Sequence, residues 1–346
     1  MGLERWILPV MVSVCCLFFG ESANAQKTVP VFDGFVVVSY NVENLFDTIN
    51  NPNTADDDFA PDGGNRWDSW RYRIKLRNIW KVLAATNLCN FPDVIGLCEV
   101  ENRAVVEDLI TWTPLWKGHY SIMHKDSRDR RGIDLALLYN AKTFRPLDSA
   151  FVPVTVPDEP DFATRDIMYV KGLVTATGDT LHIFLNHWPS RYGGFAWTEP
   201  YRCRAARVLR ETVDSVLTAE KNARIICMGD FNDTPFDKSV NEDLGAKTDF
   251  SNPKPGELYN ISYCLAHKKK MWSYWYQGHG DLLDQVMVSG SMLGVSGFHL
   301  NPDNVFPLDE PNFMDKDGRP LRTYQGPVYK GGYSDHLPII INIELE

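Results

Sequence analysis

The chain has 346 residues, of which 44% are hydrophobic and 23% are charged. This composition excludes a disordered or fibrous protein and is sufficient for a large buried core. Acidic residues outnumber basic ones by 45 to 35, and the net charge of −10 argues against a general polyanion-binding protein. Binding to nucleic acid would therefore require local basic patches or a bound cation.

The first 25 residues have the pattern of an export signal. Arg5 supplies a positive charge, residues 6–19 form an apolar run of 14 positions, and residues 23–25 read Ala-Asn-Ala, the small residues that a signal peptidase requires. The run is shorter than the ~20 residues needed to span a bilayer, so cleavage is favoured over a retained anchor. We predict a signal peptide at residues 1–25 and an exported mature chain without stable membrane insertion, which we assume to be monomeric. The mature chain keeps 34 basic and 43 acidic residues and has a net charge of −9.

Short apolar runs predict eight strands in the mature chain. They cover residues 35–40, 93–98, 133–139, 167–175, 180–186, 224–228, 283–288 and 337–343. A helical stripe predicts a helix at 72–88, and its polar side carries Arg71, Arg73, Lys75, Arg77 and Lys81. A second helix is predicted at about 200–219, with Thr198 as its N-cap and Pro200 in its first turn. Because no repeat or flexible linker divides the chain, we predict one domain over residues 26–346, of class α/β or α+β.

Five cysteines remain after removal of the signal peptide, and none forms a C-x-x-C pair. This spacing predicts neither a structural zinc site nor a redox pair, and export leaves disulfides open. Cys98 and Cys227 lie in strand-like apolar runs, where a free cysteine behaves as a small hydrophobe.

Three long segments, at residues 50–68, 252–280 and 301–332, read as irregular loops. Loops of this length in a compact domain are usually functional or mobile. The second combines three consecutive lysines, Lys268 to Lys270, with four aromatic residues up to Tyr276. That combination suits either contact with a nucleic-acid strand or a folded aromatic loop.

Polar residues recur where the apolar strands end. Asn41, Glu99, His187 and Asp230 each follow a predicted strand, and Asp335 and His336 precede the last one. Strand ends form a rigid rim, and carboxylates, amides and imidazoles gathered there are what a hard cation and a phosphate require.

Six such segments resemble, in order along the chain, those of the endonuclease/exonuclease/phosphatase superfamily, which includes pancreatic deoxyribonuclease and abasic-site endonucleases. They cover residues 39–45, 93–100, 186–187, 229–232, 283–289 and 334–338. The resemblance implies a four-layer α/β/β/α sandwich of two packed mixed β-sheets, with the active site at one end. It also implies hydrolysis of phosphate esters with a divalent cation, usually Mg²⁺, with Mn²⁺ or Ca²⁺ as substitutes. The segment at 186–194 resembles a secreted bacterial subgroup.

The resemblance implies three metal-side residues: Glu99 looks like the principal ligand, with Asn41 beside it and Asp335 as a further carboxylate. Magnesium binds a few carboxylates and retains water, which fits this set better than a closed cage would. Where many members have Asp, this chain has Glu43, so we carry that position over only weakly.

The same resemblance implies the catalytic residues. Asp230 and Asn232 look like the pair that activates and orients the attacking water. His336 looks like the imidazole at the scissile phosphate, and Asp284 its carboxylate partner, which would hold one tautomer and favour the cation. His187 stands where members steady the phosphate. For substrate phosphate contacts, Arg165 resembles an arginine of some nucleases, and Arg191 is a candidate at the mouth.

Each of these residues has an ordinary alternative when taken singly. Asn41 and Asn232 could be turn or cap residues, and Glu99 could precede a helix over 102–110. A Ser334, Asp335 and His336 relay is excluded because three consecutive residues cannot point into one site.

The leading function is that of an exported, Mg²⁺-dependent nuclease-like phosphodiesterase. The alternative is a phosphodiesterase or phosphatase acting on lipid head groups or small phosphate esters, which shares the same machinery. A non-catalytic secreted binding module is a third possibility, which the intact set of polar residues disfavours.

Overall fold

The computed structural model describes residues 32–87 and 90–345, so the predicted signal peptide lies outside the described residues. Within these ranges, none of the helices combines the length and the apolar character needed to cross a bilayer.

The described chain contains seventeen strands and four α-helices. The strands are β1 (Phe35–Leu45), β2 (Val94–Val100), β3 (Tyr120–His124), β4 (Asp134–Asn140), β5 (Phe144–Val152), β6 (Ile167–Val174), β7 (Thr180–His187), β8 (Arg224–Asp230), β9 (Leu258–Asn260), β10 (Tyr274–Tyr276), β11 (His279–Asp281), β12 (Asp284–Ser289), β13 (Phe298–His299), β14 (Val305–Pro307), β15 (Tyr324–Gln325), β16 (Val328–Tyr329) and β17 (Ile339–Leu345). The helices are α1 (Ser69–Ala85), α2 (Arg103–Thr111), α3 (Phe195–Ala219) and α4 (Ile261–His267).

The strands form two large mixed sheets. The first has the order β13-β17-β1-β2-β4-β3, with β14 also paired to β17, and only β1 and β2 run parallel. The second has the order β5-β6-β7-β8-β12-β9, and only β7 and β8 run parallel. Two short hairpins, β10-β11 and β15-β16, lie outside these sheets.

Side chains alternate between the two faces of each sheet, which produces three apolar layers. Val37 and Val94 of the first sheet meet Ile183 and Ile226 of the second in the central core. The outer face of the first sheet packs against α1 and α2, and the outer face of the second sheet packs against α3. Successive side chains of a strand point to opposite faces of its sheet, and here both faces are apolar. Each sheet must therefore be covered on both sides. The predicted four-layer α/β/β/α sandwich is confirmed.

Helix α1 begins at Ser69 because the Asp68 carboxylate caps it by accepting the Arg71 backbone N–H. Its buried stripe confirms the predicted helix, although Lys75 is buried rather than exposed on the polar side. Leu88, the predicted last residue, lies outside the described residues.

Helix α3 begins at Phe195, five residues before the predicted start, so the prediction for its N-terminus is wrong. Gly194, with φ of 121°, precedes the first helical residue. Thr198 lies inside the helix, where its hydroxyl donates to the Gly194 carbonyl at 2.9 Å. Pro200 is therefore in the helix interior, where it removes one backbone donor.

All eight predicted strands are present within a few residues of their predicted ends. The longest strand that the sequence did not reveal is β5, an edge strand that is exposed over most of its length. Such a strand buries few apolar side chains, so its sequence carries a weak periodic signal. The four described cysteines are free, and Cys98 and Cys227 are buried in apolar cores as expected.

Candidate active site

Strand register brings the polar strand ends together at one end of the two sheets. In the second sheet, His187 and Asp284 are the two cross-strand neighbours of Asp230. In the first sheet, Asn41 pairs with Cys98, so Glu99 follows directly at the same end. The segment that precedes β17 reaches this end as well, since the Ser334 hydroxyl donates to the Asn41 carbonyl at 2.8 Å.

Asp230 lies at the centre of the site and is almost fully buried. Its Oδ2 accepts a hydrogen bond from Asn41 Nδ2 at 3.0 Å, and its Oδ1 accepts the Asn232 backbone N–H at 2.8 Å. The same Oδ2 is 3.7 Å from His187 Nε2 and 3.8 Å from His336 Nε2. Burial raises the pKa of Asp230 to about 6, against an opposing pull from His336. A carboxylate in this position can accept a proton near neutral pH.

His336 and Asp284 form a short buried pair, with 2.6 Å between Nδ1 and Oδ2. Asp284 is held in turn by the Ser273 hydroxyl, which accepts the Asp284 backbone N–H at 3.0 Å. Burial opposes the charged imidazole, yet attraction to Asp284, Asp230 and other carboxylates raises the pKa of His336 well above its usual value. His336 is therefore a cation at neutral pH, with Nε2 directed toward Asp230.

His187 has the opposite charge state. Burial, with repulsion from Arg165 and Arg131, lowers the pKa of His187 well below its usual value. Its Nε2 lies 3.7 Å from both Glu99 Oε1 and Asp230 Oδ2, and its buried Nδ1 has no hydrogen-bond partner among the described residues. The site thus places one neutral and one cationic imidazole on either side of a single carboxylate.

Glu99 presents one carboxylate oxygen to the cleft. Its Oε2 accepts the Asn44 backbone N–H at 2.9 Å, while Oε1 lies 3.7 Å from His187 Nε2 and has no hydrogen-bond partner among the described residues. Glu99 has a φ of 67°, in the left-handed region, and Asn44 at 51° is similar. Non-glycine residues held in this region often belong to functional sites. Asn44 and Glu99 both adopt this backbone conformation at the ends of their strands.

The predicted metal-side set fits a hard cation only in part. Glu99 Oε1 is free to bind one, and Asp335 lies in the same cleft, where burial and repulsion from Glu43 raise its pKa to about 6. A divalent cation would stabilise the charged form of a buried carboxylate such as that of Asp335. The Asn41 oxygen, however, accepts the Glu43 backbone N–H at 3.0 Å, and its amide nitrogen holds Asp230. Ligation by Asn41 stays a prediction.

The two predicted phosphate-binding arginines differ. Arg165 is buried, and its guanidinium donates to Asp129 Oδ2 at 2.8 Å and to the backbone carbonyls of His187 and Trp188. It supports β7 from beneath the cleft, so the structure does not support the predicted phosphate contact. The sequence could not reveal this, because the burial of Arg165 depends on the distant partner Asp129.

Arg191 does line the cleft, as predicted. Its guanidinium donates to the Asn232 carbonyl at 2.7 Å and pairs with Asp237 at 2.9 Å and Asp281 at 3.1 Å. These contacts hold the loop that carries Asn232. A phosphate contact by Arg191 stays a prediction.

Glu43 and Lys75 form a buried anchor that the sequence did not reveal. Glu43 Oε2 lies 3.5 Å from Lys75 Nζ and accepts the Thr323 backbone N–H at 2.6 Å. Lys75 also donates to Thr323 Oγ1 and to the Tyr333 carbonyl. Glu43 therefore fastens the loop at 301–332. The only sequence signal of this role was the glutamate itself, which stands where many family members have the shorter aspartate.

The catalytic cleft has a volume of about 450 Å³. Besides the residues above, it is lined by Arg131, Tyr274, Tyr276 and Arg322. Tyr274 lies against His336, with ring centroids 4.7 Å apart. Lys268, Lys269 and Lys270 do not line this cleft, and Lys269 pairs with Asp303 at 2.7 Å. Of the stretch from Lys268 to Tyr276, two tyrosines therefore line the cleft and the three lysines do not.

A second group of potential metal ligands lies elsewhere, in His124, Asp126 and Asp134. Both nitrogens of His124 already have partners, the Leu135 carbonyl at 2.8 Å and Asp126 at 2.9 Å. Hydrogen bonding accounts for this group without a cation.

Comparison with known proteins agrees with this architecture. Residues 36–345 match the profile of the endonuclease/exonuclease/phosphatase family. The chain belongs to this family. It is therefore a hydrolase that acts on phosphoester bonds and depends on a divalent metal, as the family does.

Solved structures of the family share the fold at low sequence identity. Truncated TDP2 of Caenorhabditis elegans is similar at 14% identity and a TM-score of 0.55, over 90% of this chain and 98% of that one. The human Nocturnin catalytic domain is similar at 17% identity and a TM-score of 0.54, over 90% and 95%. A family protein from Bacteroides thetaiotaomicron is similar at 17% identity and a TM-score of 0.55, over 91% and 99%. No curated protein matches the sequence.

Proposed function

We propose that the protein is an exported, Mg²⁺-dependent phosphodiesterase that cleaves nucleic acid. The observation that carries this proposal is the buried Asp230 between a neutral His187 and a cationic His336, with a free oxygen of Glu99 beside them. This arrangement supplies a proton acceptor and positive charge within one small cleft.

Glu99 and Asp335 would hold the cation, with retained waters completing its shell. When bound, Mg²⁺ neutralises charge on a non-bridging phosphate oxygen. Mg²⁺ suits the site because oxygen ligands on few carboxylates are its usual protein environment, whereas cysteines, which softer metals prefer, do not line the cleft.

Asp230 and Asn232 would prepare the attacking water. Asp230 can take the water's proton because its pKa of about 6 lies close to neutrality. The Asn232 side chain is fixed by its Nδ2, which donates to the Trp188 carbonyl at 3.0 Å, so its amide oxygen is held in one direction. A fixed acceptor orients the water for in-line attack.

His336 would stabilise the phosphate in the transition state. Its Nε2–H points into the cleft because Nδ1–H is committed to Asp284. A charge-assisted hydrogen bond from an imidazolium to a phosphate oxygen strengthens as negative charge develops there. His187 is neutral and can donate or accept, which suits a steadying contact.

Nucleic acid is the substrate class that the cleft favours. Tyr276 is 52% exposed at the rim, and Arg131 adds an exposed cation, so a base and a phosphate can both be contacted. Among the structural neighbours, one is TDP2 of D. rerio complexed with a single strand DNA product, at 14% identity and a TM-score of 0.55.

A substrate panel tests this proposal. The purified protein is assayed with Mg²⁺ and with EDTA on single-stranded DNA, duplex DNA, RNA, sphingomyelin, phosphoinositides and bis(p-nitrophenyl) phosphate. We expect Mg²⁺-dependent cleavage of nucleic acid, absent from Glu99→Gln. Turnover of lipid head groups alone would replace nucleic acid with the alternative substrate class, and no turnover of any diester would overturn the proposal.

Export rests on residues 1–25 and is tested separately. We expect the protein recovered outside the cytoplasm to begin at Gln26, as N-terminal sequencing would show. An uncleaved chain retained in the cytoplasm would contradict this part of the proposal.

A further inference from the structure

A second cavity of about 580 Å³ adjoins the catalytic cleft. The two cavities share Tyr276, Arg322 and Asp335, so they lie side by side, and together they are called the groove. Given the proposed function, on which this inference rests, we propose that the second cavity binds a further phosphate of the same strand, one nucleoside away from the phosphate that is cleaved. Below, it is called the flanking cavity.

Two of the four cations that line the flanking cavity are unpaired lysines. The lining also includes the carboxylates of Asp315, Asp317 and Asp335. Among the described residues, no carboxylate lies within 4.0 Å of the ammonium groups of Lys316 or Lys330, and both side chains are exposed. Arg319, by contrast, pairs with Asp317 at 3.1 Å, and Arg322 pairs with Asp335 and Glu43. The two lysines are therefore the cations that can accept an added phosphate without first breaking an ion pair.

Backbone hydrogen bonds hold the two lysines in place. Lys316 lies in a tight turn in which the Asp315 backbone N–H donates to the Arg319 carbonyl at 2.7 Å. Lys330 donates its own backbone N–H to the Thr323 carbonyl at 2.8 Å. Thr323 is in turn fixed by the buried pair of Glu43 and Lys75. The flanking cavity is thus built on a loop that is fastened to β1 and α1, so binding needs little further ordering of the backbone.

An aromatic residue stands between the two phosphate positions. Tyr276 lines both cavities and is half exposed, and its ring stacks on Tyr274 with centroids 6.3 Å apart. Tyr274 itself lies against His336. The groove therefore combines a cation at the scissile phosphate, an aromatic face shared by both cavities, and two further cations. This combination suits a nucleotide strand, which offers a stackable base and successive phosphates.

This arrangement favours a nucleic-acid strand over a phosphorylated lipid head group. A head group with two phosphates would use the lysines equally well, but it offers no planar base to Tyr276. The predicted lysine run at 268–270 lines neither cavity, so its net charge can be changed without touching the groove.

The test compares substrates that differ only in the second phosphate. Thymidine 5′-(p-nitrophenyl phosphate) is measured with and without a 3′-phosphate, and thymidine 3′-(p-nitrophenyl phosphate) with and without a 5′-phosphate. The paired variant Lys316→Gln/Lys330→Gln is compared with the matched control Lys268→Gln/Lys270→Gln, which removes the same charge elsewhere. For one polarity, we expect the second phosphate to lower KM of the unmutated protein about 10-fold or more, and only the paired variant to lose that gain.

Three results would overturn the inference. One is an equal KM with and without the second phosphate in both polarities. Another is an equal effect of the two lysine variants, which would show general electrostatics. The third concerns phosphoinositide head groups with two phosphates rather than one. If the paired variant loses the KM gain of the second phosphate for these head groups but not for the thymidine esters, the inference fails. If the unmutated protein hydrolyses none of the one-phosphate esters with Mg²⁺, the proposed function itself fails, which is a different outcome.

Discussion

The substitution Asp284→Asn separates the charge of the buried His336 pair from its shape. Asparagine keeps the size of the side chain and can still accept the hydrogen bond from His336 Nδ1 through its amide oxygen, which replaces the carboxylate 2.6 Å away. What is removed is the negative charge that holds the imidazole as a cation. The backbone N–H of residue 284 continues to donate to Ser273, so the strand should be undisturbed.

The loss can be estimated from Coulomb's law. Two unit charges about 4 Å apart interact with about 4 kcal/mol at an effective dielectric constant of about 20. Burial lowers the pKa of His336 and the nearby carboxylates raise it, so removing the Asp284 charge should lower this pKa. Because the proposed role requires the protonated ring, we expect kcat at pH 7.5 to fall about 10²- to 10⁴-fold.

The pH profile of kcat is the assay that identifies the cause. A histidine whose pKa is raised stays charged until the pH passes that raised value, so the unmutated protein should keep its His336 cation to a higher pH than Asp284→Asn does. In Asp284→Asn, activity should fall as the pH rises through the new, lower pKa of His336, so its loss relative to the unmutated protein should be larger at high pH than at low pH. Nitrogen NMR of the imidazole provides a readout that does not depend on activity. The control Asp281→Asn changes a carboxylate of the same cleft that pairs with Arg191 instead.

Two results would refute this reasoning. A loss of activity that is equal at every pH would mean that Asp284 acts through structure alone. Independent losses in Asp284→Asn and His336→Ala, multiplying in the double variant, would mean that the two residues do not act as a pair.

Three further predictions concern residues around the site. Arg165→Met should lower the free energy of unfolding by up to about 3 to 5 kcal/mol in a denaturant titration, because the buried Asp129 loses its closer cation and keeps only Arg131, 3.8 Å away. A raised KM with unchanged stability would instead support a phosphate contact by Arg165. Asp134→Asn should stabilise the protein at pH 7.5 by up to about 3 kcal/mol, since burial raises the pKa of Asp134 to about 6 and the unmutated protein loses stability as the pH rises from about 4 to 6. A destabilised variant would contradict this prediction. Lys75→Met should raise KM for two-phosphate substrates, because the Thr323 loop loses its anchor, and an unchanged KM would separate that loop from the groove.

The apolar pattern was sufficient to predict most of the long strands, and the resemblance to the superfamily implied the two packed sheets and a site at one end of them. Buried strands such as β2 and β8 carry continuous apolar runs, and the polar residues that follow them stand out because nothing else interrupts those runs. The register of β7, β8 and β12 then pairs His187 and Asp284 with Asp230.

What the sequence did not predict depends on contacts between distant segments. Arg165 and Lys75 are charged residues that read as exposed, and each is buried only because a partner far along the chain, Asp129 or Glu43, balances its charge. Edge strands such as β5 are missed for a related reason, because their stability comes from pairing with a neighbour rather than from their own apolar pattern.

The proposed function requires that hydrolysis depends on a divalent metal and on Glu99. The decisive measurement is the rate of bis(p-nitrophenyl) phosphate hydrolysis as a function of Mg²⁺ concentration, for the unmutated protein, for Glu99→Gln and for the matched control Asp126→Asn. Glutamine keeps the acceptor for the Asn44 N–H but removes the ligand charge. We predict a rate that saturates with Mg²⁺ and vanishes in EDTA, lost at least about 10³-fold in Glu99→Gln and unchanged in Asp126→Asn. Full activity in EDTA, or an unchanged rate in Glu99→Gln, would contradict metal-dependent hydrolysis at Glu99.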